Sequence, residues 1–241
     1  MTPSTLAQKT WIVTGAGRGI GRAIALGLGA ERANVVVTAR TAAELAKVSE
    51  EIASLGGTAL PVVADVADEA AVLRMVKACA DRFGTVDGLV NNAGIGTFLP
   101  VAELSASDFD AMWGVNMRGV FLCTRAVLPY MTSARSGDIV NIASLAGRNA
   151  FTGGAGYAAT KWALIGFSRC LLLEVREHNI RVITLCPGSV DTAFSGPSHQ
   201  TKHSSAIPSA ETIAAVALDA LRLPRNTMVS EIDIRPTNPK G

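Results

Sequence analysis

Short apolar runs alternate along this chain with longer segments whose apolar positions recur at helical spacing. The apolar runs predict seven strands, at residues 10–14, 34–38, 59–63, 86–91, 138–142, 181–185 and 229–234. The segments between them predict six helices, at about 19–32, 41–56, 68–83, 105–130, 155–177 and 209–221. Strict alternation of strands and helices predicts a mainly parallel sheet with helices on both faces, whose strands are continuously apolar because both faces are buried.

Three local signals add detail to this pattern. Thr41, followed three residues later by Glu44, predicts a capping box at the start of the second helix. Ser105 and Asp108 have the same spacing, which predicts a cap for the long fourth helix. Pro61 lies in the third strand, and a residue without an N–H favours an edge position in a sheet.

The composition predicts one domain over residues 1–241. The chain is 49% hydrophobic and 17% charged, and no Pro-, Gly- or Ser-rich linker divides it. A net charge of +2 without long Lys or Arg runs argues against nucleic acid as a partner. Residues 1–9 lack the form of a signal peptide, and no uncharged apolar stretch is as long as a membrane span. We therefore expect a cytoplasmic protein that does not contact a membrane.

The cysteines and histidines give no sign of a metal centre. The 4 cysteines include no C-x-x-C pair, and none is near any of the 3 histidines in sequence. Their apolar surroundings predict buried free thiols in a reducing compartment. We expect no metal, and four free thiols at Cys79, Cys123, Cys170 and Cys186.

A run of alternating glycines follows the first predicted strand and opens the first helix. Such a run lets the backbone turn sharply and approach a diphosphate, while the helix N-terminus offers free N–H groups and partial positive charge to the anion. Its position at the start of a β–α–β unit predicts a dinucleotide site. The glycines are Gly15, Gly17, Gly19 and Gly21.

A second group of residues, in the middle of the chain, has the chemistry to act on a carbonyl. Ser144 precedes Tyr157, and Tyr157 and Lys161 share one helix face because they are four residues apart. A free tyrosine has a pKa near 10. A cation about 4 Å away contributes about 4 kcal/mol at an effective dielectric of 20, which predicts a phenol pKa close to neutrality.

These motifs together resemble the short-chain dehydrogenase/reductase superfamily, in its compact one-domain branch. The glycine spacing is that of the family, and Ser144, Tyr157 and Lys161 come in the family's order. Further ordered matches are Asp65–Val66, Asn91 to Gly94, Asn116, Pro187–Gly188 and Thr192, so that the resemblance covers nearly the whole chain. It implies a three-layer, doubly wound α/β Rossmann fold with about seven strands, and an oxidoreductase that resembles 3-oxoacyl-thioester and ketone reductases.

The end of the second strand bears on the choice of cofactor. An enzyme that uses NAD usually places an acid there, whereas this chain has Arg40, with Arg18 in the glycine loop. A guanidinium can hold a 2′-phosphate through two hydrogen bonds, so NADP(H) is favoured over NAD(H), which stays open. The resemblance implies a cofactor site made of Gly15, Gly17, Arg18, Gly19, Ile20, Gly21, Arg40, Asp65, Val66, Asn91, Ala93, Gly94, Tyr157, Lys161, Pro187, Gly188 and Thr192.

The resemblance also implies a role for each catalytic residue. Ser144 donates a hydrogen bond to the carbonyl oxygen, and Tyr157 protonates that oxygen as hydride arrives from the cofactor. Lys161 holds the nicotinamide ribose and lowers the tyrosine pKa. Asn116 completes a water-linked proton path to that lysine.

The substrate side is apolar by the same resemblance, which suits an aliphatic or aromatic ketone. A lid is expected over about residues 192–209. The lining candidates are Ile95, Ser144, Leu145, Phe151, Tyr157, Val190 and Phe194.

Two further questions stay open in the sequence. The segment from Ser230 to Pro239 departs from the Gly-Gly-containing end of many one-domain members, so we expect a homo-oligomer that is either a tetramer or a dimer. Two other functions also remain. One is an NAD-dependent alcohol dehydrogenase that works oxidatively, and the other is a catalytically silent nucleotide sensor.

Overall fold

The computed structural model describes residues 5–192, 194 and 207–238. Strands and helices alternate along them, as predicted. The strands are β1 (Thr10–Thr14), β2 (Asn34–Ala39), β3 (Thr58–Val63), β4 (Gly88–Asn91), β5 (Gly137–Ile142), β6 (Ile180–Pro187) and β7 (Glu231–Ile234). The helices are α1 (Gly19–Ala30), α2 (Ala42–Ser54), α3 (Glu69–Phe83), α4 (Ala106–Trp113), α5 (Val120–Ala134), α6 (Ala155–Val175) and α7 (Ala210–Arg222).

The seven strands form one parallel sheet in the order β3-β2-β1-β4-β5-β6-β7. The predicted doubly wound α/β fold is therefore confirmed. The edge position predicted from Pro61 is confirmed as well, because β3 is an outer strand. The chain leaves β1 toward β2 on one side and returns to pair β4 on the other. The strand order reverses there, and this is where a sheet of this kind opens a crevice at its carboxyl edge.

The sheet is buried on both faces, and neighbouring residues of one strand serve opposite faces. Trp11 and Val13 pack into the layer that contains α1, α2 and α7, whereas Ile12 between them packs into the layer that contains α3, α5 and α6. All three side chains are almost completely buried. This alternation explains why β1 reads as an unbroken apolar run.

Three local predictions need correction or refinement. Ser105 caps α4 by accepting a hydrogen bond from the Asp108 N–H, as expected, but Thr41 makes no side-chain cap at α2, so the capping box there is wrong. The long fourth helix extends to Ala134 and contains a π-helical segment, Gly114–Gly119, between α4 and α5. Cys170 is exposed, in contrast to the three other free cysteines, which are buried as predicted.

A buried ion network holds the amino edge of the sheet. Asp138 of β5 accepts a hydrogen bond from Arg181 Nε of β6 at 2.6 Å and from Arg225 Nη1 at 2.8 Å. Arg181 also donates to the carbonyl oxygens of Leu221 and Leu223, which close the end of α7. One carboxylate therefore ties two strands to the last helix and to the segment that leads into β7.

Within the described ranges, no helix is long and apolar enough to cross a membrane. In the same ranges, no group of three His, Cys, Asp or Glu side chains is placed to hold a metal ion.

We expect Asp138→Asn to lower the free energy of unfolding by about 3 kcal/mol, because it leaves the buried Arg181 guanidinium without its counter-charge. Denaturation by urea, followed by circular dichroism, measures the loss. Asp81→Asn is the matched control: it removes an exposed carboxylate that pairs with Lys77 on α3, and should cost less than about 1 kcal/mol. Equal losses in the two variants would contradict the importance of the buried network.

Candidate active site

A cleft of about 1280 Å³ runs along the carboxyl edge of the sheet. It lies where the strand order reverses, and the loops after β1, β2, β3, β4, β5 and β6 all contribute to its walls. Most residues predicted for the cofactor and the substrate line it. These are Gly15, Gly17, Arg18, Gly19, Ile20, Arg40, Asp65, Val66, Ala93, Gly94, Ile95, Ser144, Leu145, Phe151, Tyr157, Lys161, Pro187, Gly188, Val190, Thr192 and Phe194.

The glycine loop needs glycine for two different reasons. Gly15 and Gly19 have φ of +64° and +56°, a left-handed conformation that side-chain-bearing residues rarely adopt. Gly21 has no room for a side chain, because a Cβ there would lie 2.4 Å from the Gly15 carbonyl oxygen. α1 begins at Gly19, so its free N–H groups stand at the cleft. The loop has the geometry of an anion cradle.

Thr14 and Asn92 form a clasp that joins this loop to the one after β4. The Thr14 hydroxyl donates to the Val90 carbonyl and accepts from the N–H groups of Asn92 and Ala93, both at 3.0 Å. The Asn92 side chain donates to the carbonyls of Thr14 at 2.9 Å and Gly15 at 3.1 Å. Sequence reasoning did not assign either residue a role, although Asn92 stands inside the motif that carried the family resemblance.

Three predicted site residues do not line the cleft, namely Gly21, Asn91 and Asn116. Asn91 is buried in the sheet, where its amide donates to the side-chain oxygens of Asn141 and Thr124. The family resemblance implied a cofactor contact for Asn91, whereas its side chain points into the packed layer behind the cleft. In this arrangement the Asn91 side chain joins β4 to β5 and α5.

Asn116 lies in the π-helical segment and is fully bonded to the protein. Its oxygen accepts from the Ile95 N–H at 2.9 Å, and its nitrogen donates to the Ile95 carbonyl at 2.9 Å and to Thr160 Oγ1 at 3.0 Å. A Cβ at Gly94 would lie 3.4 Å from this oxygen and 3.8 Å from Lys161 Nζ. Asn116 therefore fixes the segment after β4 beside the lysine, and its side chain does not bond to the lysine directly.

The three remaining catalytic candidates meet at one point of the cleft. Tyr157 and Lys161 stand on the first turns of α6, and Ser144 follows β5. The Ser144 hydroxyl accepts from the Ala146 N–H at 3.0 Å and donates to the Pro187 carbonyl at 3.4 Å. Lys161 Nζ lies 5.7 Å from the centre of the Tyr157 ring and donates to the Ile142 carbonyl at 2.8 Å.

Burial governs the pKa of both ionisable groups. It raises the pKa of Tyr157 to about 12, and the neighbouring Ser144 hydroxyl opposes this rise only in part. It lowers the pKa of Lys161 to about 8. The expectation that Lys161 brings the phenol close to neutrality is therefore wrong for the chain by itself. The lysine donates its hydrogen bond to the Ile142 carbonyl, and desolvation of the tyrosinate is the dominant effect on the phenol pKa.

One end of the cleft carries unpaired charges. Arg18 and Arg40 are exposed, and neither guanidinium has a hydrogen bond or ion pair within the described part of the chain. Glu44 of α2 also lines this end, and its carboxylate lies against Gly17. Sequence reasoning placed Glu44 in a capping box and so missed it as a wall of the cleft.

The other end of the cleft is aromatic. Measured between ring centroids, Phe98 lies 5.3 Å from Tyr157 and 6.0 Å from Phe151, and Phe194 lies 5.7 Å from Tyr157. Phe98 was not predicted, since it lies in an irregular segment after β4 with no pattern to mark it. The expected lid at 192–209 falls for the most part outside the described residues.

An ion cluster anchors the segment after Ser144 to the last strand. Arg148 Nη2 donates to Glu231 of β7 at 2.5 Å, and the Arg148 guanidinium also pairs with Asp233. Arg169 of α6 donates to the other Glu231 oxygen at 2.6 Å. Hydrogen bonds from Arg169 and Arg148 lower the pKa of Glu231 to about 2, so this carboxylate is charged at neutral pH.

Comparison with known proteins agrees with this architecture. The family model described as short chain dehydrogenase matches residues 9–203. The sepiapterin reductase of Chlorobaculum tepidum is 35% identical over 234 residues, which are 94% of this chain and 96% of the relative. A 3-oxoacyl-(acyl-carrier-protein) reductase of Synechocystis is 38% identical over 190 residues, which are 78% of this chain and 77% of the relative.

Solved structures show the same relationship. A metagenomic short-chain oxidoreductase in complex with NADP superposes with a TM-score of 0.86 at 36% identity, over 98% of this chain and 100% of the other. Levodione reductase superposes with a TM-score of 0.87 at 31% identity, over 95% and 97%. This chain belongs to the short-chain dehydrogenase/reductase family of oxidoreductases.

Proposed function

We propose that the protein is an NADP(H)-dependent carbonyl reductase, which moves hydride between the nicotinamide and a ketone or secondary alcohol. One observation carries the proposal: Ser144, Tyr157 and Lys161 meet at the wall of the same cleft that the glycine loop enters. A hydroxyl donor, a phenol and an amine beside a dinucleotide cradle are the parts that such a reaction requires.

The residues of the cleft fit a nicotinamide dinucleotide. The left-handed glycines and the N-terminus of α1 suit the diphosphate, and the exposed guanidiniums of Arg18 and Arg40 suit a 2′-phosphate. The complex of NADP with a 36% identical relative supports this choice. When bound, the reduced cofactor supplies the hydride, and the chain supplies orientation and proton transfer.

The buried phenol suits the reductive direction. With a pKa of about 12, Tyr157 holds its proton at neutral pH and can give it to an alkoxide that forms at the carbonyl oxygen. Ser144 would donate its hydrogen bond to that oxygen in exchange for its long bond to the Pro187 carbonyl. Lys161, with a pKa of about 8, carries its charge at neutral pH and would hold the ribose.

The substrate that suits the aromatic end is an uncharged ketone with an apolar ring or chain. Phe98 and Phe194 lie against the Tyr157 ring, and Phe151 extends the apolar surface on the far side of Phe98. The relatives are named for sepiapterin, levodione and 3-oxoacyl groups, so family membership does not choose among substrates. A spectrophotometric screen of NADPH and NADH oxidation over ketones, quinones and 3-oxoacyl thioesters tests the proposal. Turnover of none of them would favour the nucleotide sensor.

We expect Tyr157→Phe to lower kcat for ketone reduction by about 10²–10⁴-fold, because it removes the proton donor and keeps the ring. NADPH should bind within a few-fold of wild type in a fluorescence titration. Tyr130→Phe makes the same change outside the cleft and should leave kcat unaltered. Near-normal turnover by Tyr157→Phe would place the acid on another residue.

We expect Tyr157 to stay protonated in the ligand-free protein up to about pH 10. Burial raises its pKa to about 12, so the neutral form is retained across neutral pH and is lost only as the pH rises toward that value. The chain has 2 tyrosines, so the absorbance of wild type minus Tyr157→Phe near 295 nm isolates this phenol. Tyrosinate absorbance in that difference between pH 7 and 9 would mean that Lys161 lowers the pKa even without a ligand.

We expect Arg40→Gln to raise the Kd for NADPH by roughly 10- to 100-fold, since a charge-assisted hydrogen bond to phosphate contributes about 1.5–3 kcal/mol. The Kd for NADH should change by less than about twofold, because NADH lacks the 2′-phosphate. Arg32→Gln, an exposed change two residues after the end of α1, provides the control. Equal weakening of both cofactors would contradict a 2′-phosphate contact at Arg40.

A further inference from the structure

Glu44 places a carboxylate in the cleft near the end of β2, where the chain itself has Arg40 and no acid. It stands in the first turn of α2, and its side chain is half-buried against the glycine loop. A Cβ built on Gly17 would lie 2.4 Å from Glu44 Oε2 and 3.0 Å from Glu44 Cβ. The absence of a side chain at Gly17 is thus what gives the carboxylate its place on the loop.

Nothing else in the described part of the chain uses this carboxylate. Thr41, its expected partner in a capping box, makes no side-chain cap, and Glu44 has no ion pair or hydrogen bond there. By contrast, Glu51 on the same helix pairs with Arg22. Arg18 and Arg40 line the same end of the cleft and are likewise unpaired.

The two kinds of charge favour different ligands. Guanidinium groups attract a 2′-phosphate, whereas a carboxylate repels a phosphate and accepts a hydrogen bond from a sugar hydroxyl. The acid at the end of the second strand in NAD enzymes does the latter. Glu44 reaches the cleft from α2, the helix that follows β2. Its carboxylate can therefore accept a ribose hydrogen bond from a different position in the sequence.

We propose that Glu44 is a specificity-determining residue of the cofactor site, which opposes the 2′-phosphate preference of Arg18 and Arg40 and supports binding of NADH through a ribose hydroxyl. This inference rests on the proposed function, in that the cleft binds a nicotinamide dinucleotide with its adenosine end at α2. It predicts that the protein binds both cofactors. It also predicts that Glu44 makes NADPH binding weaker than Arg18 and Arg40 would give without it.

The test is a fluorescence titration of NADPH and NADH against wild type, Glu44→Gln and Glu50→Gln. Glu50→Gln makes the same change of charge on an exposed position of α2 that does not line the cleft. Glu44→Gln should lower the Kd for NADPH by about fivefold to tenfold, because a like charge near the phosphate is removed. The Kd for NADH should stay the same or rise, and Glu50→Gln should alter neither constant by more than about twofold.

Repeating the titrations at several salt concentrations gives a second test with the same variants. The gain in NADPH affinity of Glu44→Gln over wild type should shrink as salt is raised, because screening weakens the repulsion that the variant relieves. An unchanged ratio of the two Kd values in Glu44→Gln, or an equal change for both cofactors, would overturn the inference. So would the same shift in Glu50→Gln, since the effect would then come from net charge alone.

The outcomes also separate this inference from the proposed function. The titrations measure binding and require no turnover. If the ketone screen showed no reductase activity, the catalytic proposal would be overturned, but the Kd values of wild type and Glu44→Gln could still be compared. Wild-type protein that binds neither cofactor would overturn both. Normal binding of NADPH and NADH with no effect of Glu44→Gln would overturn the role of Glu44 only.

Discussion

The site depends on the position of β1 between β2 and β4, because the strand order reverses there. β1 pairs with β2 and β4, and the loops that leave β1 and β4 part from each other at the carboxyl edge of the sheet. The hydrogen bonds of Thr14 and Asn92 hold these two loops together at their base. The glycine loop, with its left-handed Gly15 and Gly19, is thereby fixed against the loop after β4, and the cleft lies above it. An anion site made of backbone N–H groups needs such fixed geometry, since flexible loops would lose entropy on binding.

The cleft has a charged end and an apolar end, and each follows from how the loops are packed. Among the residues that the structure describes, none pairs with Arg18, Arg40 or Glu44, which lie beside the glycine loop where solvent reaches them. At the other end, the rings of Phe98 and Phe194 lie against Tyr157, and Tyr157 and Lys161 are both buried. The same burial gives the phenol a raised pKa and the amine a lowered one. Both groups can therefore hold a proton at neutral pH without a direct bond between them.

Structural hydrogen bonds reach the site from distant parts of the chain. The π-helical segment turns Asn116 toward Ile95 and Thr160, which fixes the loop after β4 beside α6. Arg148 connects the segment after Ser144 to Glu231 on the last strand. Glu231 thus supports the position of Arg148, a residue 83 places earlier in the sequence. In the same way Asp138 joins β5, β6 and the end of α7 at the opposite edge.

The sequence by itself determined the order of strands and helices, the edge position of β3, the glycine loop and the family. These depend on local periodicity, on backbone freedom at glycine and on the i, i+4 spacing of Tyr157 and Lys161, all of which a linear pattern records. Only the tertiary structure decided that the Asn91 side chain is buried behind the cleft and that Phe98 packs against Tyr157. It also decided that Glu44 lies against Gly17 and does not take part in a capping box. It also decided the pKa of Tyr157, because desolvation depends on what surrounds a group in space and not on its neighbours along the chain.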